Sequence, residues 1–287
     1  MPELPEVEIV RRSLLKTINK AKIISIKIKN RNLRYKIQSK FSNFLIGEKI
    51  LNVSRRSKYL IFHFKEKILL LHLGMSGKIL IRRVKDNLIL KTSFYYNLNF
   101  PIKHNHVYFK LSNGLQLIYN DTRRFGFFKI YNFKELNKID FLKKLGIEPF
   151  SKNFNMNFFM RFISNRNKNI KNLLMDQTFV SGLGNIYVNE ILYMSKVSPL
   201  RSCKNLKKKE IQNLIFNTKK ILKLAITKGG ASIRDFKNTF GQSGGFQQYF
   251  YVYGKKNKRC SRISCNGIIN KIVISNRSSF YCDKCQL

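Results

Sequence analysis

The chain of 287 residues carries 56 lysines and arginines against 15 acidic residues, a formal net charge of +41. Its hydrophobic fraction of 44% suffices for the cores of one large or two medium domains. It has no uncharged apolar run of about 18 residues and no basic-then-apolar leader, so we expect no membrane span, no signal peptide and a cytoplasmic location.

The positive charge predicts a polyanionic partner, and the phosphate backbone of a nucleic acid fits best. An anionic membrane surface fits less well, because the basic residues are spread over the whole chain. The sequence is also saturated with Lys, Asn and Ile, so part of the charge can be the compositional background of an AT-rich genome.

Apolar residues at helical spacing predict an amphipathic helix over residues 5–18. From Ile24 the pattern changes to period two, which is typical of strands. Turn signals separate further short apolar runs, which predict strands near residues 50–54, 59–65, 67–73, 78–84, 106–111, 115–119 and 126–131. We therefore expect a β-sandwich or barrel of about 130 residues, with a polar loop over residues 85–105.

After about residue 132 the pattern becomes helical. The predicted helices are Lys134–Leu145, one through Phe154, Phe158 and Phe162, Ile186–Lys196 and Leu206–Ala225. A Gly/Ser/Gln-rich stretch at 241–248 predicts a mobile loop, and strands return around the cysteines. The expected fold is α+β and multidomain, with an N-terminal β-sandwich over 1–132, a linker over 133–150, a helical domain over 151–240 and a C-terminal loop and hairpin over 241–287.

Four cysteines near the C-terminus, Cys260, Cys265, Cys282 and Cys285, form two pairs separated by 16 residues. Two thiolate pairs at this spacing predict one structural zinc ion with four sulfur ligands, held between the turns of a hairpin. Disulfides are an alternative, although nothing else in the sequence indicates secretion. Cys203 has no partner in this pattern.

The chain opens with Met-Pro-Glu-Leu-Pro-Glu-Val-Glu. Removal of Met1 would leave Pro2 with a free secondary amine, and an α-amino group, with a pKa of roughly 8, is about one-tenth unprotonated near neutral pH. Such an amine attacks a sugar aldehyde to give an iminium cation that acts as an electron sink, which suits covalent catalysis. In the alternative, the proline and the acidic residues only favour the start of a helix.

Six motifs occur in the order found in one known family. They are the N-terminal octapeptide, Arg55-Arg-Ser-Lys58-Tyr-Leu, His72-Leu-Gly-Met75-Ser-Gly, Asp121-Thr-Arg-Arg-Phe-Gly126, Met175-Asp-Gln-x4-Gly-Leu-Gly-Asn185-Ile-Tyr and the cysteine hairpin. From residue 1 to 287 the chain resembles the bacterial formamidopyrimidine-DNA glycosylases, base-excision repair enzymes for oxidised purines. The resemblance implies a helix–two-turns–helix DNA-binding domain, a loop over the lesion and a zinc finger.

The resemblance implies that Pro2 is the nucleophile that attacks the sugar C1′, and that Glu3 protonates the sugar and assists ring opening. Glu6 is then a second acid that supports the site, and Lys58 contacts phosphate and the damaged nucleotide. The iminium intermediate loses both flanking phosphates, so the strand is cut by β,δ-elimination. The implied substrate is duplex DNA that contains oxidised purines or abasic sites, and we expect a nucleoid-associated monomer.

A damaged base must leave the stack before it is cut, and other groups must fill the void. The resemblance assigns this task to Met75, Arg123 and Phe125. Met75 offers a flexible thioether, Arg123 a hydrogen-bond donor for the orphaned cytosine, and Phe125 a wedge between base steps. It also implies DNA contacts by His72, His106, Lys171, Asn185 and Arg277.

Two other interpretations share parts of the pattern. Endonuclease VIII, the sister enzyme for oxidised pyrimidines, usually has Gly where this chain has Leu4. A non-catalytic zinc-finger nucleic-acid-binding protein would share the charge and the cysteines, but it has no need of Pro2, Glu3 or Lys58. The chain departs from the family pattern at Ser57, Thr122 and Asn105, in its wider first cysteine pair and in its longer 85–105 loop.

Overall fold

The computed structural model describes residues 2–90, 101–164, 166–231 and 245–287. Its contacts divide the chain into two compact units, Met1–Lys143 with Lys228–Gln247, and Lys144–Thr227 with Gln248–Leu287. Parts of four predictions lie outside the described residues: Met1, residues 91–100 of the 85–105 loop, residues 165 and 232–240 of the 151–240 domain, and residues 241–244 of the 241–248 loop.

The first unit is an antiparallel β-sandwich with a helix at its N-terminus, which confirms the predicted architecture. Its helices are α1 (Leu4–Ile18), α2 (Phe41–Leu45) and α3 (Asp140–Lys143). Its strands are β1 (Ile23–Ile28), β2 (Asn52–Arg56), β3 (Tyr59–His63), β4 (Lys67–His72), β5 (Lys78–Arg83), β6 (Ile89–Leu90), β7 (Asn105–Leu111), β8 (Leu115–Asn120) and β9 (Phe127–Asn132). One sheet has the order β2-β3-β4-β9 and the other has the order β1-β7-β8-β5-β6.

The two sheets of the sandwich share one hydrophobic core. Side chains alternate between the faces of a strand, so every second residue points inward. The core contains Phe62 and Leu71 from the four-stranded sheet and Ile81, Phe109 and Leu117 from the five-stranded sheet. The apolar stripe that predicts α1 belongs to the same core, because Val7, Val10, Leu14 and Ile18 are each 0% exposed.

The second unit is helical and ends in a β-hairpin. Its elements are α4 (Met156–Ile163), α5 (Ile170–Met175), α6 (Asn185–Met194), α7 (Lys208–Thr227), β10 (Ile269–Ile274) and β11 (Arg277–Cys282). Helix α6 packs against α5, α7 and β11. Its Glu190 is buried and accepts hydrogen bonds of 2.8 to 3.1 Å from the backbone N–H groups of Tyr251, Val252 and Tyr253, which fixes the chain that leads into the hairpin. None of the helices that the structure describes is long and apolar enough to span a membrane.

The segment after β9 differs from its prediction. The single helix predicted over Lys134–Leu145 is wrong, because a 3-10 helix over Phe133–Lys138 is followed by the one-turn helix α3. Between them, Ile139 has φ −65° and ψ 116° and is 3% exposed. It packs on the outer face of the four-stranded sheet with Ile61 and Leu70. Burial of this side chain therefore interrupts the helix.

Helix α1 is tied to β2 by one buried carboxylate. Glu8 accepts hydrogen bonds from Arg11 and Arg12 at 2.8 Å and from Arg55 of β2 at 3.1 Å. Burial by itself raises the pKa of Glu8, but the hydrogen bonds and charges of the arginines outweigh it and hold the pKa at about 2, against an ordinary value of 4.5. Because Arg11 also donates to the backbone oxygen of Val53 at 3.4 Å, α1 runs antiparallel to β2.

We expect Glu8→Gln to lower the free energy of unfolding near pH 7 by about 2 kcal/mol, because charged hydrogen bonds are lost. Since folding lowers the pKa of Glu8 from 4.5 to about 2, its contribution is complete above pH 4.5 and is lost as the pH falls towards 2. Urea unfolding of wild type and variant at several pH values measures this.

The control for Glu8→Gln is Glu48→Gln, which removes a more exposed ion pair with Lys67 and should change stability by less than about 1 kcal/mol. If the free energies of unfolding of wild type and Glu8→Gln differ by the same amount near pH 7 and near pH 3, the role of the carboxylate is contradicted.

Candidate active site and metal centre

Two buried carboxylates lie at the N-terminus of α1. Glu3 is the N-cap residue, and it forms a reciprocal capping box with Glu6. The two oxygens of Glu6 accept hydrogen bonds from the backbone N–H groups of Glu3, at 2.8 Å, and of Ala231, at 2.9 Å. Glu3 and Glu6 are 3% and 1% exposed, and Pro2 is also buried. Pro2 is therefore held directly before a fixed helix end.

Lys58 lies at the same end of α1 as Pro2. Glu8 of α1 pairs with Arg55 of β2, and the two elements are antiparallel. The start of α1 therefore lies on the side of Arg55 where β2 ends and the β2–β3 turn begins. This turn carries Lys58, which is 7% exposed. Pro2, Glu3, Glu6 and Lys58 therefore lie towards the same end of the sandwich.

Ser57, one of the departures from the family pattern, stands where the resemblance leads us to expect glycine. Its φ is +55°, in the left-handed region that favours glycine, and it is 1% exposed. A side chain in this conformation costs on the order of 1 kcal/mol. A 2.8 Å hydrogen bond from Arg55 to the Ser57 backbone oxygen fixes the turn, and with it the backbone of Lys58.

His72, at the end of β4, is held neutral. Burial is the main cause that lowers its pKa to about 4, and the charges of Lys58 and Arg34 act in the same direction. Its Nδ1 accepts a 3.1 Å hydrogen bond from the Gly74 backbone N–H. In the neutral ring the proton is therefore on Nε2, which is a donor suited to an anionic oxygen.

Two neighbouring turns carry Met75, Arg123 and Phe125. Met75 and Phe125 are 41% and 43% exposed although they are large and apolar. The guanidinium of Arg123 lies over the Phe125 ring, 4.6 Å from its centroid. Exposed apolar side chains grouped beside a cation are typical of a binding surface.

His106 lies in a different environment from the other predicted contact residues of this unit. It is 4% exposed, and its Nε2 donates to the backbone oxygen of Asp121 at 2.7 Å. This imidazole therefore has a partner within the protein, at the start of the turn that carries Arg123.

In the second unit, Lys171, Asn185 and Arg277 meet at the hairpin. Lys171 of α5 is 1% exposed and donates from Nζ to the Ser278 backbone oxygen, at 3.1 Å, and to Ser279 Oγ, at 2.6 Å. Asn185, the first residue of α6, donates to the same Ser278 oxygen at 2.9 Å. Burial and then the charge of Arg277 lower the pKa of Lys171 to about 8. The serines carry no signal in the sequence, because such hydrogen bonds appear only when α5 and β11 meet.

The four predicted cysteines come together in the second unit. Their sulfur atoms all lie within 4.8 Å of one another, with Cys260 and Cys285 at 3.8 Å and Cys265 and Cys282 at 3.6 Å. Sulfurs bound tetrahedrally to one zinc at 2.3 Å stand about 3.8 Å apart, whereas a disulfide needs about 2.05 Å. The cluster therefore fits a metal ion, and the wider first pair does not prevent this.

Comparisons with known proteins agree over the whole chain. Models of the formamidopyrimidine-DNA glycosylase N-terminal domain and H2TH domain match residues 1–128 and 145–237. Formamidopyrimidine-DNA glycosylases of Bartonella tribocorum and Rickettsia massiliae are each 41% identical to the chain, over 100% of it and over 100% and 97% of their own lengths.

Solved structures agree as well. Complexes of the Lactococcus lactis enzyme with DNA that contains N7-benzyl-Fapy-dG or an abasic site are 36% identical, with TM-scores of 0.85, and cover 99% of both chains. The chain belongs to the formamidopyrimidine-DNA glycosylase family.

Proposed function

We propose that this chain is a bifunctional DNA glycosylase and AP lyase of base excision repair. It excises oxidised purines, 8-oxoguanine and formamidopyrimidines, from duplex DNA and then cuts the strand. The observation that carries the proposal is the burial of Pro2 directly before the buried Glu3, at the end of the sandwich that carries Glu6 and Lys58. Family membership supports the same activity.

In this proposal the Pro2 nitrogen, freed by removal of Met1, attacks the sugar C1′ and gives up its proton, while the base leaves with the electrons of its bond to C1′ and takes up a proton. Glu3 delivers a proton to the ring oxygen, the sugar opens, and the nitrogen becomes an iminium cation. The iminium accepts the electrons released when the C2′ proton leaves, so the 3′ phosphate is expelled first. A second elimination expels the 5′ phosphate, and water finally releases the sugar remnant from Pro2.

Glu6 and Lys58 take supporting roles in this proposal. Both oxygens of Glu6 are occupied by backbone N–H groups, so it holds Glu3 in place rather than transferring a proton. Lys58 and the Nε2–H of neutral His72 provide donors for the phosphate beside the damaged nucleotide.

The exposed side chains of Met75, Arg123 and Phe125 fill the space that the flipped base leaves, and Arg123 hydrogen-bonds the orphaned cytosine. Lys171, Arg277 and the N-terminus of α6 at Asn185 bind a phosphate in the second unit, because two cations and the positive end of the helix dipole attract an anion. We also propose a DNA contact by His106, whose Nε2 donates to the Asp121 backbone oxygen.

One zinc ion bound by Cys260, Cys265, Cys282 and Cys285 would stabilise the hairpin that carries Arg277. With four protein ligands, its role is structural. We also propose that the protein acts as a monomer on nucleoid DNA. The proposed domains are a catalytic sandwich over 1–132, a linker over 133–150, a helix–two-turns–helix domain over 151–240, and the lesion loop and zinc finger over 241–287.

Borohydride reduction tests the nucleophile. We expect the wild type to form a reducible adduct with abasic-site DNA, and Pro2→Gly to lose both the adduct and strand cutting by about 100-fold or more, because the cyclic secondary amine is gone. Pro5→Ala is the matched control, since Pro5 lies inside the first turn of α1 and carries no free amine. Full strand cutting by Pro2→Gly, or by protein with an uncleaved N-terminal tag, would contradict the proposal.

Excision assays test the lesion class. Duplexes that hold 8-oxoguanine opposite cytosine should be cut faster than duplexes that hold thymine glycol. Preference for thymine glycol would instead favour an endonuclease VIII-like enzyme, and absence of cutting would favour a non-catalytic nucleic-acid-binding protein.

Zinc content tests the metal site. Purified protein should hold about one zinc per chain, and Cys285→Ser should lose it and bind DNA more weakly. Cys203→Ala is the control, because Cys203 is a buried thiol outside the cluster and its loss should leave zinc in place. Full zinc content in Cys285→Ser would exclude the four-sulfur site.

A salt titration tests Lys171. We expect Lys171→Met to bind DNA more weakly and to reduce the slope of log affinity against log salt by about one. Wild-type affinity should also fall as the pH rises past 8, because Lys171 then loses its proton, and this fall should be smaller in the variant. Lys16→Met, at the other end of α1 from Pro2, is the control. An unchanged slope in Lys171→Met would remove this residue from the DNA contacts.

A further inference from the structure

Asp121 is a buried carboxylate to which the mechanism assigns no role. It is 0% exposed, and both of its oxygens accept two hydrogen bonds. Oδ1 accepts from Ser76 Oγ at 2.5 Å and from the Arg123 backbone N–H at 3.2 Å. Oδ2 accepts from the Tyr119 hydroxyl at 2.8 Å and from the Gly126 backbone N–H at 2.9 Å. The carboxylate thus joins the turn that carries Met75 to the turn that carries Arg123 and Phe125.

The two turns are also in direct backbone contact. A side-chain carbon at Gly74 would lie 2.4 Å from Gly126 N and from Phe125 C, and one at Gly126 would lie 1.9 Å from the Tyr119 hydroxyl. Such distances are impossible, so both positions require glycine. The Arg123 backbone N–H additionally donates to Ser76 Oγ at 2.9 Å. One turn therefore cannot move without the other.

We propose that Asp121 is the positioning residue that holds Met75, Arg123 and Phe125 as one rigid wedge. The inference rests on the proposed function, in which these three side chains fill the space of the flipped base. Inserting them between base pairs meets resistance from stacking, so a loosely held wedge would bend aside. His106 also donates to the Asp121 backbone oxygen and fixes the start of the turn.

The site requires a carboxylate, because every partner of the Asp121 side chain donates. The hydroxyl groups of Ser76 and Tyr119 can rotate and accept a hydrogen bond, but the backbone N–H groups of Arg123 and Gly126 can only donate. Each oxygen of Asp121 accepts a hydrogen bond from one of these two N–H groups. An asparagine has nearly the same shape, yet in either orientation its amide N–H groups face one backbone N–H group. Asp121→Asn therefore weakens the junction with little change of volume.

The test compares two substrates. Removal of 8-oxoguanine from a duplex needs the wedge, whereas cutting at a preformed abasic site in single-stranded DNA needs no base pair to be opened. We expect Asp121→Asn to slow duplex excision by about 10- to 100-fold. Cutting of the single-stranded abasic site should stay within about twofold of wild type. Ser76→Ala, which removes only the side-chain hydrogen bonds between the turns, should show the same selectivity with a smaller loss.

Asp86→Asn is the matched control, since Asp86 is exposed and bonds only Arg83 and the Leu88 backbone among the described residues. In a Met75→Ala/Phe125→Ala background, Asp121→Asn should add little further loss, because the groups it positions are gone. An equal loss on both substrates, or full duplex excision by Asp121→Asn, would overturn the role of Asp121. A wild type that forms no borohydride adduct would instead contradict the proposed function itself.

Discussion

In the proposed mechanism, the site depends on fixing the first residues of the chain, which are ordinarily a mobile part of a protein. A nucleophilic N-terminal amine works only if it is held still and next to a proton donor. Here α1 is clamped along β2 by Glu8 and three arginines, and its first turn is closed by Glu3 and Glu6. Buried carboxylates in a chain with few acidic residues thus do the positioning, and the direction of α1 brings its first residue to the turn that carries Lys58.

The strands and long helices can be predicted from the sequence because buried apolar residues recur along it with the period of a strand or a helix. The stripe through Val7 and Leu14 matches α1, and the alternation from Ile24 matches β1 except at Ile24 itself, which is exposed beside a register shift. The helix over Lys134–Leu145 does not, since Ile139 is drawn out of the helical pattern by a surface that only the folded sheet provides. Helices α2 and α5, of five and six residues, are too short to show a period.

Some features of the candidate site can also be recognised in the sequence, and others cannot. Pro2 and the four cysteines are recognisable because their chemistry depends on position and spacing along the chain. The hydrogen-bonding roles of Asp121 and His106 are not, because these roles depend on which donors and acceptors the fold places around the two residues. Ser57 is an intermediate case: its departure from glycine is visible in the sequence, but its positive φ is visible only in the folded turn.

The most direct measurement is the identity of the residue that bonds to the sugar. Active protein is reduced with borohydride on abasic-site DNA, digested with nuclease and trypsin, and examined by mass spectrometry. We expect the sugar remnant on the nitrogen of Pro2, in the peptide that ends at Arg11, with Met1 absent. A remnant on a lysine, or Met1 retained on fully active protein, would contradict catalysis by the N-terminal proline.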